Sequence, residues 1–136
     1  MEQTPIQIKE KPWGREIWFA HMAGYAGKIL EVKAGKRLSL QYHEKKAETQ
    51  YVMSGVVKLT IGKDPENLEE ITLKAGDKMD IHPYTIHRIE GVEDAQIFEV
   101  STDQLDDVVR LADDHGRPDR GNHEELDAQL SNQQKP

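Results

Sequence analysis

Apolar positions along this chain fall in short runs with a period of two, separated by glycine, proline or Asx clusters, a pattern that predicts strands rather than helices. Such runs occupy 15–20, 28–33, 37–42, 49–54, 56–61, 69–73, 78–82, 87–90 and 95–100. The breaks at Ala34-Gly35, Ser54-Gly55, Gly62 to Asn67, Ala75-Gly76-Asp77 and Gly91 to Asp94 offer residues suited to positive or fixed φ, so hairpins fit between the runs. This many short strands in one open sheet would leave unpaired edges, and closure into an antiparallel barrel or sandwich removes them. After the last run, Leu105, Val108, Val109 and Leu111 with early Asp106 and Asp107 predict a short helix or turn over 105–112. From Asp119 onward only Leu126, Ala128 and Leu130 are apolar, which predicts a frayed or weakly helical tail.

Composition narrows the chemistry. The 136 residues suit one domain, with room to bury a core that needs no staple. Eighteen Lys and Arg against 25 Asp and Glu leave a net charge of −7, which opposes nonspecific attraction to nucleic acid or an anionic membrane. An anionic ligand then needs a local cluster of cations. No apolar run is long enough to span a bilayer, and the N-terminus lacks a secretory h-region, so a cytoplasmic location is expected. With no cysteine, disulfides, thiolate metal sites and thiol nucleophiles drop out together.

The stretch Arg37 to Glu48 carries the chemistry. In an extended strand Arg37, Ser39, Gln41 and His43 share one face and Leu38, Leu40 and Tyr42 the other. A polar row of this kind can line the cavity of a small barrel while the apolar row packs outside it. Glu48 follows a turn and can point back at His43, and His87 follows a proline-fixed turn that can return it to the same cavity. Two imidazoles, a carboxylate and an amide oxygen suit a divalent ion such as zinc, manganese or iron, with positions left open for substrate. His82 has the opposite strand parity and reads as exposed or structural, and His21 and His123 read as surface residues. His115 divides evenly between a slot near the terminal arginines and simple exposure. Glu44-Lys45-Lys46 reads as a solvated turn, and Trp13 and Trp18 as packing residues.

The spacing of Gly35, Gln41, His43, Glu48 and Gly55, followed by the Pro83 turn and His87, resembles the two-part cupin signature. Lys11-Pro12-Trp13-Gly14, Arg37 to His43 with Ala47-Glu48, and Asp107 to Arg117 extend the likeness to the cupin domain of type II phosphomannose isomerases over roughly residues 11 to 117. The resemblance implies an all-β, single-domain cupin, a double-stranded β-helix or jelly-roll barrel, with an arm at 1–10, the barrel at 11–117 and a tail at 118–136. It implies one divalent ion on Gln41, His43, Glu48 and His87, zinc favoured over manganese, iron, nickel or cobalt. Lys28 and Arg110 would then be catalytic, and Arg37, Ser39 and Arg117 would bind substrate. The implied reaction interconverts mannose 6-phosphate and fructose 6-phosphate or a related pair, in a homodimer. Gln41 departs from the His-x-His of many oxygenase cupins and counts against a metal-dependent oxygenase or decarboxylase. Gln50, Gly91 and His115 replace Trp, Asn and Tyr of the family pattern, and they motivate a second reading as a noncatalytic cupin that binds a sugar or sugar phosphate. The nucleotidyltransferase domain of bifunctional relatives is absent from these residues, so sugar-nucleotide synthesis is not expected of them.

Overall fold

A computed structural model describes residues 3–135. Among them, eleven strands form two antiparallel sheets. The first sheet is ordered β1 (Gln7–Lys11), β2 (Gly14–Met22), β3 (Tyr25–Val32), β10 (Ala95–Ser101), β5 (Glu48–Ser54), β8 (Lys78–Ile81). The second is β11 (Val109–Ala112), β4 (Leu40–Tyr42), β9 (Ile86–Gly91), β6 (Val56–Gly62), β7 (Glu69–Lys74). A helix, α1 (Glu124–Gln133), closes the chain.

Cross-strand register sorts the barrel interior into two levels. Leu30, Ile97 and Val52 are neighbours across β3, β10 and β5, and with Trp13, Leu59 and Ile89 they belong to one apolar core. Two residues along each strand, on the same inward face, stand Lys28, Glu99 and Gln50. Strand alternation carries both sets inward, so the change from apolar to charged along each strand makes one end of the barrel a hydrophobic plug and the other a polar chamber. The outward face of the first sheet holds another register row: Ile8, Ile17, Ile29, Phe98 and Tyr51. Phe19 lies beside it edge-on to Phe98, over Gly27, where a Cβ would stand 2.6 Å from the Phe19 ring.

The strand expected over 37–42 survives only as Leu40–Tyr42. Residues 33–39 follow an irregular path with isolated bridges at Ala34–Gly91 and Arg37–Glu90. Alternation is lost there, so Leu38 turns into the core instead of joining an outer apolar row. Gly91 belongs to this crossing: a Cβ on it would stand 2.5 Å from the Lys33 carbonyl.

Two terminal expectations change. Residues 105–112 form a turn and then β11, because β4 offers an open edge that pairs with Val109–Ala112. The N-terminal arm contributes β1 from Gln7, paired with β2. The tail is a docked ten-residue helix, held by charge rather than by apolar area. Asp127, 1% exposed, meets Lys11 Nζ at 2.8 Å and Arg117 Nη1 at 3.5 Å, and Arg117 Nε donates to Asp113 at 2.9 Å. Lys9 also pairs with Glu124. Removing one partner of a buried ion pair leaves the others uncompensated, at a cost of about 3–5 kcal/mol. Asp127→Ala should therefore lower the unfolding free energy by roughly 3 kcal/mol in urea titration, whereas a tail that merely frays would leave the midpoint unchanged.

Candidate metal centre

The donors in the polar chamber come from β4, β5 and β9 and the loop between the first two. Gln41 lies on β4 and His87 opposite it on β9 as direct Cα partners; His43 follows β4, and Glu48 opens β5. The loop before β9 is tied to the loop after β4 by the Tyr84 amide, which donates to the His43 carbonyl at 2.7 Å. Tyr84 adopts φ 64°, the only non-glycine residue with positive φ among those described, and its ring stacks on Tyr42. A bulky side chain in this region is conformationally unusual. The strained corner brings the two histidine loops together.

Glu48 Oε1 lies 3.1 Å from His43 Nε2 and 3.0 Å from His87 Nε2, and all three residues are buried. The opposite ring nitrogens settle the tautomers. His43 Nδ1–H donates to the Asp107 carbonyl at 2.6 Å and His87 Nδ1–H to the Thr85 carbonyl at 2.9 Å. A carbonyl only accepts, so each Nδ1 carries the hydrogen and each ring turns its Nε2 toward the Glu48 carboxylate. Burial keeps the His43 ring below its ordinary pKa. Two imidazole nitrogens and a carboxylate oxygen thus converge within 4.8 Å of one another, an arrangement suited to a divalent cation. Backbone carbonyls that orient ligand imidazoles through Nδ1 are a recurring support of metal sites. The donor set fits a divalent ion, and Gln41, lining the same cavity, can add an amide oxygen.

Around this triad lie charges that alternate in sign. Lys46 Nζ sits 3.6 Å from Glu48 Oε2 and 3.6 Å from Glu99 Oε2, and Gln50 Nε2 donates to Glu99 Oε1 at 3.2 Å. Lys28 Nζ is 3.4 Å from Glu16 Oε1 and 4.6 Å from the centre of the Trp18 ring, whose indole N–H donates to Glu16. Burial and the neighbouring Glu48 raise the Glu99 carboxyl to about 7. Burial also works to raise Glu16, but Lys28, Lys11 and the Trp18 hydrogen bond outweigh it and hold that carboxyl at about 2. Glu48 stays well below the usual range: burial opposes its charge, and Lys46 with the two histidines overcomes that. The free volume inside is about 50 Å³.

Of the residues selected from the sequence, the chamber brings together Lys28, Gln41, His43, Glu48 and His87. The structure places the others elsewhere. Ser39 is 2% exposed but does not line the chamber. Arg37 lies at the surface, bidentate to Asp114 at 2.6 and 2.7 Å. Arg110 sends Nη1 to the carbonyls of Pro118 at 2.9 Å and Gly121 at 2.6 Å, and its buried Nε has no partner. Arg117 is taken up by Asp113 and Asp127. Lys46 is the correction in the other direction: it is 5% exposed and belongs to the chamber, not to a solvated turn. Its signal was parity, since 46, 48 and 50 share a face, and Glu99 and Glu16 follow the same rule as charges on inward positions of otherwise apolar rows. His82 is exposed, and His115 is half-buried with an unpartnered Nε2.

A double-sheet barrel with histidine and carboxylate donors gathered at its polar end is a cupin, and solved cupins superpose on it. KdgF from Halomonas sp. gives a TM-score of 0.63 at 18% identity over 76% of this chain and 89% of that one. An oxalate decarboxylase from Lactobacillus farciminis gives 0.67 at 20% identity over 78% of this chain and 33% of that one. Within that fold the chain belongs to the family Mannose-6-phosphate isomerase C-terminal, which residues 3–113 match. Among similar proteins, Mannose-1-phosphate guanylyltransferase of Escherichia coli (strain K12) is 33% identical over 112 residues, 79% of this chain and 22% of that protein. Xanthan biosynthesis protein XanB of Xanthomonas campestris pv. campestris (strain ATCC 33913 / DSM 3586 / NCPPB 528 / LMG 568 / P 25) is 31% identical over 113 residues, 79% of this chain and 23% of that protein. The chain thus spans about a fifth of the length of these curated relatives. No helix among the described residues is long and apolar enough to cross a membrane.

Two measurements follow from the chamber. His43→Ala should remove stoichiometric zinc or manganese binding by isothermal titration; full retention would place the metal elsewhere. Glu16 is held near 2 when folded against about 4.5 when free, so the unfolded chain binds the extra proton on acidification. Its stabilisation, on the order of 3 kcal/mol, is present above pH 4.5 and drains away toward pH 2. Glu16→Gln should flatten the slope of unfolding free energy against pH in that window.

Proposed function

We propose that this chain binds one divalent ion, zinc by preference, on Gln41, His43, Glu48 and His87, and isomerises a hexose phosphate between its aldose and ketose forms, mannose 6-phosphate to fructose 6-phosphate. The observation that carries the reading is the convergence of three buried lone-pair donors inside a wall of paired ammonium and carboxylate groups. Family membership supports the substrate class. The isomerisation moves a proton between adjacent carbons through an enediolate, and its difficulty is the negative charge that grows on oxygen. When bound, the ion supplies Lewis-acid stabilisation for that charge. The chain's own groups do the rest. Lys28 and Lys46 hold ammonium groups in the wall to meet the developing oxyanion. Glu16 and Glu99 are wall carboxylates that can take a proton from carbon, and the buried wall excludes bulk water. Arg110, with its free Nε, is the cation assigned to the phosphate once its carbonyl partners withdraw.

A second reading, a cupin that binds a sugar phosphate without turning it over, is favoured by one observation: Arg37, Arg110 and Arg117 all have partners within the protein. NMR of mannose 6-phosphate with metal-reconstituted and chelator-treated protein separates the two. Metal-dependent appearance of fructose 6-phosphate is the expected result; binding without product across a panel of sugar phosphates supports the second reading.

We also propose that the outer row from Ile8 to Tyr51 pairs with the same row of a second copy. Its residues reach across five strands, about 19 Å at a spacing of roughly 4.8 Å, and Ile8, Phe19, Tyr51 and Val100 remain 45–55% exposed. With the polar rows on either side, such a face approaches the roughly 800 Å² per partner of a stable interface. Phe19→Asp should convert a dimer to a monomer in sedimentation equilibrium; a wild-type monomer at high concentration would refute the pairing.

A further inference from the structure

The chamber is too small for the ligand that its chemistry suits. Its free volume, about 50 Å³, is little more than the space of one or two waters, whereas pockets for small organic ligands begin near 300 Å³. Something in the wall has to move. The β-strand part of the wall is held by ladder hydrogen bonds, and Asp107 is pinned by the backbone amides of Glu44, Lys45 and Lys46 at 2.7–3.0 Å. Asn122 is different. It reaches the chamber from the C-terminal segment, beyond the residues that match the family.

Residues 118–122 lie between two fixed anchors, Arg117 on Asp113 and Asp127, and α1 on Lys11. None of the five is buried. The segment is held by hydrogen bonds and one exposed ion pair: Gly121 N to the Val108 carbonyl at 3.1 Å, Arg110 N to the Asp119 carbonyl at 2.6 Å, Asn122 N to Asp106 Oδ1 at 2.7 Å, and Arg120 Nη1 to Glu44 Oε1 at 2.9 Å. Asn122 Nδ2 latches onto the Leu105 carbonyl at 2.6 Å, and Arg110 holds two carbonyls of the segment in place of an anion. Gly121, at φ 80°, supplies a pivot beside Asn122. Elements that open are drawn from parts of a fold with few buried apolar contacts, and hinge glycines absorb the rotation.

We propose that residues 118–122 form a gate across the metal chamber, and that Asn122 is the positioning residue it lays against whatever the ion holds. The inference rests on His43, Glu48 and His87 as a metal site and not on isomerase turnover. Opening the gate would at the same time free the chamber and release Arg110 from its carbonyls, so one movement admits a ligand and exposes a cation to its anionic end.

The test uses the whole 136-residue chain given by the sequence, which has no cysteine of its own. Val109 and Arg120 are bridge partners, and the hydrogen bonds from Gly121 and Arg110 on either side make them a non-hydrogen-bonded antiparallel pair. Such pairs have Cα atoms about 4.5 Å apart, within disulfide range. In the V109C/R120C protein loaded with cobalt(II), excess dipicolinate should strip the ion at least tenfold more slowly when the disulfide is formed than after dithiothreitol. Asp106→Ala, which removes the acceptor of the Asn122 amide, should speed stripping at least fivefold with the thermal midpoint little changed. Equal stripping rates in the locked and reduced protein, or failure of the pair to oxidise at all, would overturn the gate, as would an Asp106→Ala rate equal to wild type. Absence of turnover with mannose 6-phosphate would count against the isomerase and leave these rates untouched.

Discussion

Glu48 is the group on which the rest of the chamber depends. One of its oxygens meets both imidazole Nε2 atoms, brought there by two separate loops, and the other faces the Lys46 ammonium. A carboxylate buried in this way is costly unless compensated. Lys46 supplies that compensation, and Glu99 in turn balances Lys46. The sheet makes the network possible, because the register that places Lys28, Glu99 and Gln50 in one level also places Leu30, Ile97 and Val52 in the level beneath. The apolar plug excludes water from one end, which strengthens every charge interaction at the other.

The same use of charge recurs at the C-terminus. Asp127 does for the tail what a leucine stripe does for an ordinary amphipathic helix: it is the buried anchor, shared between Lys11 at the start of the fold and Arg117 near its end. Strand β1 and helix α1 are thereby held together, and between Arg117 and α1 Asn122 reaches the chamber. A segment fixed at both ends and unburied in between is suited to local motion without loss of the global fold.

Much of this was legible in the residue pattern. Alternation marked the strands of the barrel, and the spacing of Gln41, His43, Glu48 and His87 marked the donors that the chamber gathers. What alternation could not show was where it fails: residues 33–39 leave the ladder, and Leu38 changes sides. Nor could local reading recover Lys46, since a lysine beside Glu44 and Lys45 looks solvated until β5 is known to start at Glu48 with 46 on its inward parity. The arginines show the opposite limit. Arg110 and Arg117 were chosen as free cations, and their partners, carbonyls at 118 and 121 and carboxylates at 113 and 127, are set by how the terminal segment folds back.

The sequence by itself determined which side chains of each strand share a face, because a period of two is a property of the extended backbone and needs no partner strand to express it. It also determined the donor chemistry, because the absence of cysteine left only imidazole, carboxylate and amide. Only the tertiary structure decided which inward charges meet, which histidine nitrogens point at Glu48, and that Asn122 of the terminal segment reaches the chamber. Those are distances between segments far apart in the chain, set by strand register and by hydrogen bonds to particular carbonyls, and no local pattern encodes them.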